Sequence, residues 1–212
     1  MSLLAVQGPK PSAMLQELTT TNLEAIKFYH FIEGEIAGID KVIISATGYT
    51  GSGGFELYVN NKNAEKLWDA IMEVGKTYKI VPAGLAARDT LRLEMGYCLY
   101  GNDINDNTSP IAAGLGWVTK FNKSFINDYQ IKDQKENGVD EKLVAFKLID
   151  RGIPRKDYKI VDKDNNEIGV VTSGTMGPSV KISIGLGYVK KEYAEVDTII
   201  YLNIRNKSIA AQ

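Results

Sequence analysis

"TGYTGSGGFELYV", Thr47–Val59, places four glycines among its first eight residues and then turns apolar. A glycine-rich loop that cradles phosphate ends in Gly-Lys-Ser/Thr or opens a helix, whose N-terminus supplies oriented N–H donors. Neither follows here. Phe55, Leu57 and Val59 alternate instead with Glu56, Tyr58 and Asn60, the period of a half-buried strand, which puts Glu56 on the face opposite Phe55 and Leu57. The stretch reads as a loop feeding a strand that carries one acid.

On the N-terminal side, "LLAVQGP" reads as a strand running into a turn. "KPSAMLQEL" reads as a short helix with Pro11 near its first turn, and "DKVIISATGYT" is strand-like through Val42, Ile43 and Ile44. On the C-terminal side, Ala64, Leu67, Trp68, Ile71 and Met72 fall at i, i+3, i+4, i+7 and i+8. That spacing predicts an amphipathic helix with Asn63 as N-cap, Gly75 near its end, and Trp68 and Met72 in the core. "VPAGLAARDTLRLEMG" predicts a second helix between Pro82 and Gly96, although Leu91, Leu93 and Met95 also fit a strand. This alternation indicates a mixed α/β or α+β unit up to about Lys120.

The texture then changes. "NDYQIKDQKENGVDEK", Asn127–Lys142, is polar and marks a linker or a solvated helix. Beyond it, "KLVAFKLID", "DYKIVD", "EIGVVTSG", "SIGLGYV" and "DTIIYLNI" are short β-rich runs separated by Gly, Pro, Asn and Asp. They carry the signature of a small antiparallel barrel or sandwich. "DKDNNEIG", Asp162–Gly169, opens like a calcium loop, but Glu167 stands where the glycine belongs and Ser173 where the bidentate glutamate belongs. It reads as a hairpin turn.

Composition excludes several classes of chemistry. The 212 residues are 44% hydrophobic and 24% charged with a formal net charge of −1, so bulk charge draws the chain toward neither nucleic acid nor acidic membranes. A single cysteine, Cys98, rules out an internal disulfide, and a single histidine, His30, argues against zinc and His-Asp-Ser sites. His30, among aromatic residues, reads as a packed or surface histidine, and Cys98 as a small buried residue. No apolar run reaches the roughly 18 residues of a membrane span, and "MSLLAVQGPK" lacks signal-peptide features. These features point to the cytoplasm.

Three clusters can carry chemistry: Tyr49 with Glu56; Arg88, Asp89, Arg92 and Glu94 in "AARDTLRLE"; and "YGNDINDNTSPIAAGLGW", Tyr100–Trp117. Each has an ordinary reading. Asp89 and Arg92 form an i, i+3 pair worth about a few tenths of a kcal/mol, and the Asn-rich run suits a turn. Yet an aromatic ring, a carboxylate, an arginine and an indole are also what a flat, nitrogen-rich heterocycle with an acidic tail requires. The residues leave that as one option among many.

"TGYTGSGGFELYV", "GLAARDTLRLEMGYCLYGNDIN", "SPIAAGLGWVTK", "GIPR" and "EIGVVTSGTMGPSVKISIGLGYV" occur in this order. Together they resemble the T-protein of the glycine cleavage system, the tetrahydrofolate-dependent aminomethyltransferase, along essentially the whole chain from "LAVQGPK" onward. The resemblance implies an α+β fold: a mixed α/β folate-binding region over 1–135, then a small antiparallel β-barrel domain over 136–212. It also implies a reaction in which the lipoylated H-protein presents an aminomethyl group on its dihydrolipoyl arm. Tetrahydrofolate takes up the methylene carbon at N5, ammonia leaves, and 5,10-methylenetetrahydrofolate forms. Tetrahydrofolate is then an acceptor substrate, and no metal, nucleic acid or membrane is implied.

By the same resemblance Glu56 and Arg88 bind the folate, and Tyr49 and Trp117 line its pocket, while Tyr100, Asn102 and Asp103 lie in a matching motif without an assigned role. On this view the glycines let backbone run close beneath the pterin. Ser52 and Gly53 replace an acidic pair usual in the family; folate binding is expected to survive, since Glu56 is in place. The resemblance also implies that the chain is a C-terminal portion without the family's N-terminal segment and its catalytic aspartate. No catalytic residue is therefore assigned, Asp89 and Asp103 are not promoted to the role, and the chain alone is expected to be inactive. Two alternatives share the ligand: the folate module of a dimethylglycine- or sarcosine-oxidising enzyme, and a non-catalytic folate-binding assembly factor.

Overall fold

The computed structural model describes residues 1–205 and 207–212. The chain packs as two units, Met1–Leu91 and Arg92–Gln212.

In the first unit, β1 (Ser2–Gln7), β2 (Phe31–Ile36), β3 (Ile39–Ser45) and β4 (Gly54–Val59) form an antiparallel sheet of order β1-β4-β3-β2. β4 alternates as the sequence predicts: Phe55, Leu57 and Val59 are buried, while Gly54, Glu56 and Tyr58 are half-buried on the other face. The helices α1 (Pro11–Gln16) and α2 (Ala64–Tyr78) bury Met14, Leu15, Leu67 and Ile71 in the same core as Val42, Ile44, Phe55 and Leu57. Burying one face of a sheet against helices is what holds such a unit together.

Two details of α2 differ from the sequence expectation. Its buried stripe is Leu67, Ile71 and Gly75, whereas Trp68 is 43% exposed and Met72 half-buried. One residue further round the helix, a 100° step, carries Trp68 off the sheet-facing side. The helix also runs past Gly75 to Tyr78 and ends on Lys79 at φ 61°; Asn63 occupies the N-cap without a side-chain cap bond. A side chain in the left-handed region costs roughly 1 kcal/mol, so Lys79→Gly is expected to raise stability by about that amount. An unchanged urea midpoint would refute it.

α3 (Leu85–Glu94) is a helix rather than the strand that Leu91, Leu93 and Met95 would allow. The polar run after Asn127 contains α4 (Asp128–Asn137), a helix with no buried residue, as a solvated helix should be.

In the second unit, β5 (Glu141–Lys147), β6 (Lys159–Val161), β7 (Glu167–Met176), β8 (Ser183–Lys190), β9 (Ile200–Ile204) and β10 (Lys207–Ala211) form one antiparallel sheet of order β10-β9-β6-β7-β8-β5. Its outer strands meet: Leu148 bridges Ala211, and Lys147 and Gln212 exchange N–H···O bonds of 2.9 Å. Closure of this kind removes exposed sheet edges. Phe146, Ile160, Ile168, Val171, Val189 and Leu202 fill the interior. The calcium-like segment is the β6–β7 turn, in which Asp162 Oδ1 accepts the N–H groups of Asp164 and Asn166, each at 2.9 Å. The Asn166 side-chain amide, which donates to Asp162 Oδ2 at 2.9 Å, and then these backbone bonds hold the Asp162 carboxyl below its ordinary value.

Candidate functional site

The row of residues opposite the core of the first sheet begins with the pairing Ser45↔Glu56↔Ala5 across β3, β4 and β1. Thr47, just beyond β3, donates its hydroxyl to Glu56 Oε2 at 2.5 Å, and its oxygen lies 3.0 Å from Ser45 Oγ. One oxygen of the Glu56 carboxylate is thereby held in place by its neighbours. Tyr58 follows Glu56 on the same face, and burial together with the Glu56 carboxylate pushes its phenol above the ordinary value.

From the glycine-rich loop, Tyr49 lies under the Arg88 guanidinium, with Cζ 4.3 Å from the ring centroid. Tyr49 is half-buried and Arg88, one turn into α3, is exposed. A stack of this kind contributes about 0.5–1 kcal/mol at an exposed position, enough to bias the orientation of both groups. Glu56, Tyr49 and Arg88 all belong to the first unit. Trp117 belongs to the second, where it is 70% exposed.

The loop glycines have a use the sequence reading missed. A Cβ on Gly48 would lie 1.9 Å from Gln7 Oε1, and one on Gly54 would lie 2.2 Å from the Val6 carbonyl oxygen and 2.9 Å from Gln7 Nε2. What approaches the backbone at these two positions is β1 and the Gln7 side chain, rather than a ligand. Gln7, Ser45 and Thr47 went unassigned in the sequence. Their one signal was Gln7 itself, a polar residue closing the apolar run "LLAV".

The other flagged residues have structural partners. Arg92 and Asp103, both fully buried, form an ion pair of 2.6 Å. Arg92 also donates to the Tyr97 carbonyl at 2.8 Å and to Ser173 Oγ at 2.9 Å, while Asp103 accepts from the Leu99 N–H at 2.8 Å and from the Thr172 hydroxyl. Adjacent strand residues normally face opposite ways, but a register shift between Val171 and Ser173 lets both reach the pair. Glu94 Oε1 accepts the N–H groups of Ser179 at 2.7 Å and Val180 at 3.3 Å, bracing the β7–β8 turn. Tyr100 donates its hydroxyl to Asp106. Cys98 is half-buried, and burial followed by the Asp103 charge pushes its thiol up, the opposite of an activated thiolate. His30 is exposed, with Nδ1 3.1 Å from the Phe28 carbonyl. Among the described residues no cluster of His, Cys, Asp or Glu could hold a metal ion, and no helix is long and apolar enough to cross a membrane.

Comparison with known proteins places this arrangement. Residues 1–123 match the GCVT N-terminal domain, and residues 141–212 match the glycine cleavage T-protein C-terminal barrel domain. The aminomethyltransferase of Flavobacterium psychrophilum is 57% identical over 211 residues, covering 100% of this chain and 59% of its own length. That of Bacteroides thetaiotaomicron is 56% identical over 213 residues with the same coverage. The crystal structure of the glycine cleavage system aminomethyltransferase T from Bartonella henselae superimposes with a TM-score of 0.89 at 33% identity, covering 99% of this chain and 57% of that one. The chain thus spans about three-fifths of the length of these relatives. With family models matching both of its parts, the chain belongs to the glycine cleavage T-protein family.

Proposed function

We propose that this chain supplies the tetrahydrofolate-binding part of an aminomethyltransferase of the glycine cleavage system. In that reaction the methylene carbon passes from aminomethyl-dihydrolipoyl H-protein to N5 of tetrahydrofolate and ammonia is released. The observation that carries the reading is the Glu56 carboxylate, set on β4 between two paired strands and oriented by Thr47, with a Tyr49–Arg88 stack in the same unit. A carboxylate accepts paired N–H bonds from an aminopyrimidinone edge, an aromatic face stacks on the ring, and an arginine meets a ligand carboxylate or carbonyl. Trp117 supplies a further stacking surface. Asp103 has no part in the chemistry, because its carboxylate is committed to Arg92, Thr172 and Leu99.

The setting is cytoplasmic, the protein partner is lipoylated H-protein, and no metal takes part. The two modules divide at 135/136, a boundary supported by the interval between the family matches ending at 123 and beginning at 141.

Equilibrium dialysis of tetrahydrofolate against this chain and its Glu56→Ala and Glu56→Gln variants tests the reading. Hydrogen bonds to a charged group contribute about 1.5–3 kcal/mol. Both variants should therefore bind at least about tenfold more weakly, with unchanged urea midpoints. Undiminished affinity in Glu56→Ala, or no affinity in the parent chain, would end the proposal.

A further inference from the structure

Gln7 is the last residue of β1, directly across from Gly54, and its side chain leaves on the same face of the sheet as Ala5, the cross-strand partner of Glu56. Its Nε2 lies 3.1 Å from the Thr47 carbonyl and 3.3 Å from the Phe55 carbonyl, the two residues that flank the loop 48–54. A third carbonyl, Val6, lies at 3.4 Å. On its other side, Oε1 accepts the Thr50 hydroxyl at 3.2 Å from within the loop. The Gly8 N–H donates to the Gly53 carbonyl at 3.1 Å and closes the base. One side-chain amide thus ties both ends of the loop to a point inside it, in a niche that exists because Gly48 and Gly54 have no Cβ.

Such a tie matters because the loop is rich in glycine. Glycine loses more backbone freedom on ordering than any other residue, and Gly51 and Gly53 sit at φ 73° and 74°. The loop nevertheless presents Tyr49 beneath Arg88. Thr47, whose carbonyl Gln7 holds, is also the residue that orients Glu56 Oε2. Holding a site by locked supporting hydrogen bonds is what preorganises it for a planar ligand.

We propose that Gln7 is a positioning residue for the folate site: through the loop backbone it sets Tyr49 and Thr47, and through them Glu56, without touching the ligand. The ligand part of this inference rests on the reading of Glu56 given above.

The test uses the full chain and three variants, Gln7→Ala, Gln7→Met and Gln7→Glu. Methionine keeps the length and bulk but none of the polar atoms, and glutamate turns the donor into an acceptor facing carbonyl oxygens. Amide hydrogen exchange of the 47–55 segment reports loop order with no ligand present, and equilibrium dialysis reports tetrahydrofolate affinity. All three variants should speed exchange in 48–54 while the core of β3 and α2 stays protected. Gln7→Met should also lose about tenfold in affinity, the consequence of two or three lost hydrogen bonds. Thr50→Val, which removes one of those bonds from the loop side, should show a smaller change of the same kind.

Wild-type exchange in Gln7→Met overturns the proposal, since the side chain would then act by bulk alone. Faster exchange with unaltered affinity overturns its ligand part. If the parent chain bound no folate while Gln7→Met still loosened the loop, the Glu56 reading and the ligand part would fall together and the tie itself would stand.

Discussion

Asp103→Ala is expected to lower the unfolding free energy of this chain by about 3–5 kcal/mol, because it removes a buried carboxylate that is paired with the buried Arg92 guanidinium. Arg92 and Asp103 are both 0% exposed, and their separation of 2.6 Å belongs to a charge-assisted hydrogen bond rather than a loose ion pair. Two acceptors that stay behind, the Tyr97 carbonyl and Ser173 Oγ, are neutral. The Thr172 hydroxyl and the Leu99 N–H lose their carboxylate partner as well. Urea denaturation measures the loss directly. Replacing both partners with apolar side chains, Arg92→Met with Asp103→Leu, should cost less than Asp103→Ala alone, since an apolar pair leaves no orphaned charge. A single variant within about 1 kcal/mol of wild type would show that the site admits water, and the account of the network would fail.

Gly54→Ala should cost about 2–4 kcal/mol, through a clash that cannot be relieved by rotating a side chain. The residue opens β4 at φ +133°, a region that L side chains rarely adopt, and its Cβ would lie 2.2 Å from the Val6 carbonyl oxygen and 2.9 Å from Gln7 Cα. Both are β1 backbone, so relief requires β1 and β4 to part at the Gln7↔Gly54 pair. Gly53→Ala is the internal control: its φ of +74° is equally unfriendly, but nothing lies within 4 Å of its Cβ. It should cost only the left-handed penalty of roughly 1 kcal/mol. Equal losses for the two would mean that conformation, and not contact with β1, is what the glycine at 54 provides. Since Gly54 also borders the niche of Gln7, its variant should speed hydrogen exchange in the loop, whereas Gly53→Ala should leave the Gln7 contacts intact.

Local pattern carried a good deal of this protein. The alternation Phe55-Glu56-Leu57 suffices to place Glu56 outside the core, because strand geometry sends neighbouring side chains to opposite faces whatever the rest of the chain does. The same holds for the helical stripe of Leu67 and Ile71, for the β-rich runs beyond Glu141, and for the turn at Asp162, whose bonds to Asp164 and Asn166 span no more than four residues. Trp68 shows the margin of error: periodicity places a residue on an arc, and only the position of the sheet says where that arc ends.

What no local pattern could supply is pairing at a distance. A helical wheel offers Asp89, three residues from Arg92, but nothing local offers Asp103, whose carboxylate is buried against Arg92, or the hydroxyl of Ser173, 81 residues along the chain. Gln7 reaches Thr47 and Phe55 across 40 and 48 residues. The sequence by itself determined the periodic elements, the residues offered to the candidate site and the family. Tertiary structure alone decided which carboxylate is consumed in the interior, which glycines make room for a side chain instead of a ligand, and how the barrel closes. The physical reason is that periodicity is set by bond geometry within a few residues, whereas the partner of a buried polar group is chosen by whichever strand the topology brings alongside it.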